Sequence, residues 1–414
     1  MKTGISSEFI REIPKTDLHV HLDGSLRLPS LIEMAQAGKV KLPSYEVEGL
    51  KELVFKSSYA SLPEYLKGFM YTCAVLNTPE NLERTAYELA QDNLAEGVRY
   101  MEVRFAPQLH SRSDFSLEQV LQAVCQGMDR AKKEHNGKQA VLSNQDIPFE
   151  YGIIACALRS FNPHMAAYYA QIFDVMSYAP KKEIFAAASL EMARAAAEMV
   201  HEKGLPVVGF DLAGEESGFP AIDHWTAYQY AHSRFLKKTV HAGEAYGPES
   251  IFQAITECHA NRLGHGTFLF AGDMIRDPSI KDPKAFVRDL AEYIASRRIT
   301  IEVCLTSNLQ TTPIIRRVAD HPLKQMIDHN MSVSICTDNR LVSNTTVTRE
   351  LELVAQGMPI TRSQFRNIVI AGFKGSFFPG SYNEKRSYVR RVIDRYEELE
   401  TKYMGKTSQE GSED

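Results

Sequence analysis

Residues 16–24 read TDLHVHLDG, and the alternation inside them decides how the rest of the chain is read. The stretch has the pattern of a short strand, where successive side chains point to opposite faces. His19 and His21 therefore share one face, while Leu18 and Val20 share the other. Two imidazoles on one strand face can hold one metal ion, and histidine with carboxylate ligands suits zinc. Alone, a His-x-His pair is as easily two unrelated polar residues. Its weight comes from what other strands carry at the same relative place.

Working outward, strand-like apolar runs recur near 16–21, 98–105, 150–157, 206–211, 238–242, 260–264, 299–304 and 331–337. Helical patterns separate them, for instance at 79–96, 116–134, 187–203 and 284–297. Strand then helix, repeated about eight times, predicts an α/β fold of the (β/α)8 TIM-barrel type rather than a doubly wound open sheet. One domain is expected over 1–404, with a compositionally disordered tail over 405–414 (GKTSQEGSED begins there). Residues 28–97 exceed a simple crossover and read as a helical insertion between the first two strands. Within it Leu62, Tyr65, Leu66 and Phe69 fall at i, i+3, i+4 and i+7, one apolar stripe of a helix. Such a stripe packs into a core or forms a lid that excludes water from a barrel mouth. NGKQAVLSNQDIP (136–148) reads as a polar connecting loop.

Composition narrows the class. The formal charge of −5 gives no support for nucleic acid or an anionic membrane as partner. The basic pairs 385–386 and 390–391 run into Asp394, Glu397, Glu398 and Glu400, the pattern of a solvated helix face. No stretch approaches the ~20 apolar residues that span a bilayer. The N-terminus lacks an apolar signal core, and the six cysteines form no C-x-x-C pair, so a cytoplasmic protein with reduced thiols is expected.

Barrel active sites sit at the C-terminal ends of strands. Four further islands fall at such ends: DLAGEESG (211–218), TVHAGEAYG (239–247), RLGHGT (262–267) and ICTDNR (335–340). His241 closes the fifth strand and Asp338 the eighth, which is the neighbour of the first once a barrel closes. His19, His21, His241 and Asp338 then make a zinc shell, and bound zinc can lower the pKa of a water from ~15.7 toward ~7. Glu244 lies just past the fifth strand; a carboxyl kept protonated there could give a proton to a substrate nitrogen. His265, between Gly264 and Gly266, sits in a loop and could serve as base toward the water. The other nine histidines, His110 and His321 among them, receive no role. HEKGL (201–205) lacks the second histidine of a zincin helix, and no P-C-x-x-C, Walker A loop or G-x-S-x-G elbow exists. From the residues alone, the chain is a mononuclear metal hydrolase on a barrel.

Together the five islands closely resemble the adenosine deaminase family, in order and approximate spacing from 14 to about 350. The resemblance implies one Zn²⁺ per chain on His19, His21, His241 and Asp338. It implies Glu244 as proton donor to purine N1, and His265 with Asp338 orienting and deprotonating the attacking water. It further implies that the Gly214 N–H meets purine N3, that the stripe at Leu62, Tyr65, Leu66 and Phe69 is a lid helix, and that Asp23 with His21 binds the ribose 5′-hydroxyl. A carboxylate at 23 suits a hydroxyl and repels a 5′-phosphate. Many relatives carry Asp-Asp where this chain has Asp338-Asn339; an Asn amide donates to the N7 acceptor at any pH.

The implied activity is hydrolytic deamination of adenosine and 2′-deoxyadenosine to inosine and 2′-deoxyinosine plus ammonia, a step of purine salvage with a purine nucleoside as the small-molecule partner. A second reading keeps the chemistry on adenine or a 5′-modified adenosine. A third, a nucleoside-binding protein without turnover, is opposed by the intact ligand set and Glu244.

Overall fold

The computed structural model describes residues 4–405, without the side chains of residues 62 and 63. The tail expected from 405 onward thus lies, from 406, outside the described residues, as does the Leu62 side chain expected on the apolar stripe.

Eight strands pair in sequence order, every neighbour parallel. They are β1 (Lys15–His21), β2 (Val98–Phe105), β3 (Glu150–Leu158), β4 (Val207–Ala213), β5 (Lys237–Ala242), β6 (Arg262–His265), β7 (Thr300–Val303) and β8 (Val333–Ile335). Parallel neighbours need long crossovers. Helices Pro79–Ala95, Leu117–Asn136, Lys181–His201, Trp225–Ser233, Pro248–Thr256, Pro283–Ser296 and Leu323–Asp328 supply them, and Arg362–Gly375 covers the β8–β1 side. The result is the expected (β/α)8 barrel. Its strands are buried on both faces, which is why runs such as YGIIACA read as continuous apolar segments. The helix starts are written locally: Thr78 caps the first of these helices ahead of Pro79, Ser116 and Gln119 form a capping box, and Asp282 caps ahead of Pro283. Each cap contributes about 1 kcal/mol.

The ring closes through the segment after β8. The Asp338 N–H donates to the His19 carbonyl at 2.7 Å, and the His21 N–H to the Asp338 carbonyl at 2.7 Å. Asp338 is thereby stitched to the histidine pair by backbone, not by side-chain chance. Asp17, also on β1, accepts from the Thr337 hydroxyl at 2.6 Å and from its N–H at 3.2 Å, tightening the same seam.

Four local expectations are revised. The stripe at Leu62, Tyr65, Leu66 and Phe69 does not lie on one helix; Leu62–Leu66 and Phe69–Val75 are separate. Lys67 and Gly68 keep helical dihedrals at the junction, but bonds tighten to i−3, as in Met70 N–H to the Lys67 carbonyl. The connector at 136–148 contains a one-turn helix, Gln139–Leu142. His265 is the last residue of β6 rather than a loop residue, and Asp338 lies three residues beyond β8. Both turn out of the sheet with positive φ, 66° and 60°. His and Asp tolerate that region better than most residues, and strain of this kind concentrates where side chains must be aimed.

Candidate active site

At the C-terminal mouth of the barrel the strand ends bring His19, His21, His241 and Asp338 to one point. Asp338 Oδ1 is 3.5 Å from His19 Nε2 and 3.5 Å from His21 Nε2, and the Nε2 atoms of His21 and His241 are 3.3 Å apart. A tetrahedral zinc with bonds of about 2.1 Å holds its ligand atoms about 3.4 Å apart. His19 Nε2 is fully buried and has no hydrogen-bond partner. An orphaned imidazole lone pair is costly unless something binds it, so the donor set fits a cation. His19, His21 and His241 together are a group that could hold a metal ion.

What fixes these rings was not read from the sequence. Glu302, on β7, accepts from His19 Nδ1 at 2.9 Å; Asp211, on β4, accepts from His241 Nδ1 at 3.0 Å. With a proton held on each Nδ1, both Nε2 atoms keep a free lone pair toward the centre, the usual arrangement behind ligating histidines. Arg104 bridges the two carboxylates, 2.8 Å from Asp211 and 2.7 Å from Glu302. Arg262 binds Glu302 at 2.6 Å and also reaches Glu102. Burial would raise Asp211 and Glu302, but their partners (His241 and the Arg104 guanidinium for the first, the Arg104 and Arg262 guanidinium groups for the second) outweigh it and hold both well below the carboxylate range. The one sequence signal was a carboxylate inside the apolar run ITIEVC, which period two alone does not assign to either face, since β7 is buried throughout.

Glu244 stands past β5 and is 7% exposed. Burial, with the Asp338 charge adding to it, pushes its carboxyl up to about 8, so it carries a proton at neutral pH. Its Oε1 is 3.7 Å from His265 Nε2. The turn bearing it is held by Glu216, whose carboxylate accepts the N–H groups of Gly243, Glu244, Ala245 and Tyr246 at 2.7–3.0 Å and the Ser250 hydroxyl. Glu216 lies within an island singled out from the sequence, yet nothing local distinguished it from Glu215. His265, lowered to about 4 by burial, is a neutral imidazole. Gly264 suits the packing: a Cβ there would lie 3.0 Å from the His19 ring and 3.2 Å from the His241 Cα, tighter than ordinary contact.

These groups open into a cavity of about 680 Å³ that also contacts Asp23, Tyr65, Leu66, Phe69, Gly214 and Asn339. Thus every expected site residue with a described side chain faces one space or the His19, His21, His241 and Asp338 cluster behind it. Asp23 is raised to about 7 by burial, and its Oδ1 has no hydrogen-bond partner, 4.0 Å from His21 Nδ1. Gly214 takes φ 101°, where a side chain would be strained. Phe69 meets the His21 ring edge-on, with centroids 6.4 Å apart. Asn339 differs from the expectation of a free amide donor. Its Nδ2 donates to the Tyr65 hydroxyl at 2.8 Å, and Oδ1 is the atom without a partner. The Tyr65 hydroxyl both gives and takes, with Ser343 Oγ at 2.7 Å as its other partner. A 180° rotation of the amide therefore keeps that bond and exchanges which atom is free. Gly24 makes room for the side chain, since a Cβ there would lie 1.8 Å from Oδ1.

The family model described as adenosine deaminase matches residues 14–395. An adenosine deaminase of Mycobacterium avium is 34% identical over 95% of this chain and 98% of its own. A probable adenosine deaminase of Dictyostelium discoideum is 30% identical over 94% of this chain; the chain spans only 44% of that relative's length. Among solved structures, an amidohydrolase from Burkholderia ambifaria with bound Zn superposes with a TM-score of 0.75, covering 98% of both chains at 19% identity, a likeness of fold.

Proposed function

Because this chain belongs to the adenosine deaminase family, we propose that it converts adenosine and 2′-deoxyadenosine to inosine and 2′-deoxyinosine, releasing ammonia. The observation that carries the reading is one pocket that joins the His19, His21, His241 and Asp338 cluster to a carboxyl, Glu244, kept protonated by burial.

His19, His21, His241 and Asp338 would hold Zn²⁺. Bound there, zinc supplies the acidification that makes water a nucleophile near neutral pH. The chain's own groups do the rest. Glu244 donates its proton to purine N1, drawing electron density from C6 and opening that carbon to attack. His265 and Asp338 hold the water against C6, and Asp338 takes its proton; burial raises Asp338, but its histidine surroundings, His19 first, outweigh this and hold it below the carboxylate range. Asp338 then passes that proton to the amino group, which leaves as ammonia while the C6 hydroxyl becomes the carbonyl and returns its proton to Glu244. Gly214 offers its N–H to N3, and Asp23 accepts the ribose 5′-hydroxyl. Tyr65, Leu66 and Phe69 cover the mouth as a lid, excluding water so that the preorganised charges act at low dielectric.

The deciding experiment follows the change in purine absorbance when zinc-loaded enzyme meets adenosine, 2′-deoxyadenosine, adenine, AMP and methylthioadenosine. Adenosine and deoxyadenosine should turn over best. Turnover of adenine or AMP with adenosine untouched would refute the reading.

A further inference from the structure

Behind His265 runs a buried chain of hydrogen bonds whose direction is fixed from its far end. Leu323 is the first residue of helix Leu323–Asp328, and Pro322 before it has no N–H. The Leu323 N–H, one of the donors a helix start leaves unpaired, meets His321 Nδ1 at 3.0 Å. A backbone N–H only donates, so His321 Nδ1 is the lone-pair nitrogen and its proton is on Nε2. That N–H donates to Asn308 Oδ1 at 3.2 Å, which orients the Asn308 amide. Asn308 Nδ2 then stands 3.1 Å from His265 Nδ1. An amide nitrogen only donates, so His265 Nδ1 holds a lone pair and the proton of this ring is on Nε2, facing the pocket. His321, Asn308 and His265 are each 0–2% exposed, leaving no solvent to reverse the order.

We propose that Asn308 and His321 are positioning residues that hold His265 in the tautomer presenting an N–H, not a lone pair, to the reacting centre. His265 then donates a hydrogen bond toward the oxygen that adds to C6, and the water proton goes to Asp338. The inference rests on the reading of His265 as a group that meets the reactants.

The test combines ¹⁵N-histidine NMR of the zinc-loaded enzyme with kinetics of two variants. In the wild type, the His265 resonances, assigned by their loss in His265→Asn, should show the proton on Nε2. Asn308→Asp keeps the side-chain shape and the bond to His321, but offers an acceptor to His265 Nδ1 and should move the proton there. kcat should then fall by ~10²–10⁴ with KM changed less than about threefold, the scale seen when a catalytic histidine is held in the wrong tautomer. His321→Gln can accept from Leu323 and donate to Asn308, and should retain kcat within about threefold where His321→Phe does not. A wild-type proton on Nδ1 overturns the relay. A tautomer that flips in Asn308→Asp without loss of kcat instead removes His265 from the reaction.

Discussion

Replacing Glu302 by Gln tests whether the metal site is built from behind. Glu302 Oε2 accepts from His19 Nδ1 at 2.9 Å and Arg104 at 2.7 Å; Oε1 accepts from the Thr239 hydroxyl at 2.9 Å and Arg262 at 2.6 Å. A glutamine offers one acceptor oxygen and one NH2 group. The Thr239 hydroxyl can rotate and His19 can change tautomer, but neither guanidinium can accept. Whichever way the amide is placed, it sets an N–H against Arg104 or Arg262 and removes the charge both were paired with. Removing one partner of a buried ion pair costs about 3–5 kcal/mol. For a chain of this length, with an unfolding entropy of about 2.1 cal/mol/K per residue, that lowers Tm by about 3–6 °C. Losing the carboxylate behind a ligating histidine should also weaken zinc binding roughly 10–100-fold, or about 1.4–2.7 kcal/mol. Thermal unfolding of metal-free protein measures the first effect, and competition with a chromophoric chelator measures the second. A Tm within about 1 °C of wild type together with zinc affinity within about threefold would refute the reasoning.

Three further outcomes are expected. Glu244→Gln should keep its zinc and lose turnover by ~10²-fold or more; in the wild type, kcat/KM should decline as pH rises through about 8, where the buried carboxyl gives up its proton, and the variant should lack that limb. Asp23→Ala should lower kcat/KM for adenosine by ~10–100-fold while leaving 5′-deoxyadenosine nearly unchanged, because only the first substrate is left with an unpaired buried hydroxyl; equal losses on both would make Asp23 structural. If the amide of Asn339 faces N7 with Nδ2, 7-deazaadenosine should bind ~1–3 kcal/mol more weakly, and Asn339→Asp should make that penalty pH-dependent; superimposable pH profiles and equal penalties for the two proteins would place Asn339 on Tyr65 alone.

The local pattern carried much of the architecture. Period two placed His19 and His21 on one face of β1, and the strand runs at 98–105 and 150–157 matched the observed strands because parallel strands buried on both faces are continuous apolar segments. Ring closure then brought Asp338 to the histidines, since first and eighth strands of a barrel are neighbours. The stripe at Tyr65, Leu66 and Phe69 was legible as a shared face, but not the change to i−3 bonding that divides its helix at Gly68.

Glu302, Asp211, Glu216 and Asn308 were not read because each acts through a partner on another element, and His321 because its role passes through Asn308. Glu302 is 283 residues from His19, and Glu216 is 28 from the Glu244 N–H it holds. A carboxylate or amide in a sequence has no visible partner, and its meaning depends on whether burial leaves it one donor or several. The sequence by itself determined the barrel and pointed to candidate ligand types, because these follow from backbone periodicity and from which side chains can bind metal. Only the tertiary structure decided which ring nitrogens are free, which carboxyl stays protonated and which way the amides of Asn308 and Asn339 are constrained, because hydrogen-bond direction and desolvation belong to a buried neighbourhood and not to any single residue.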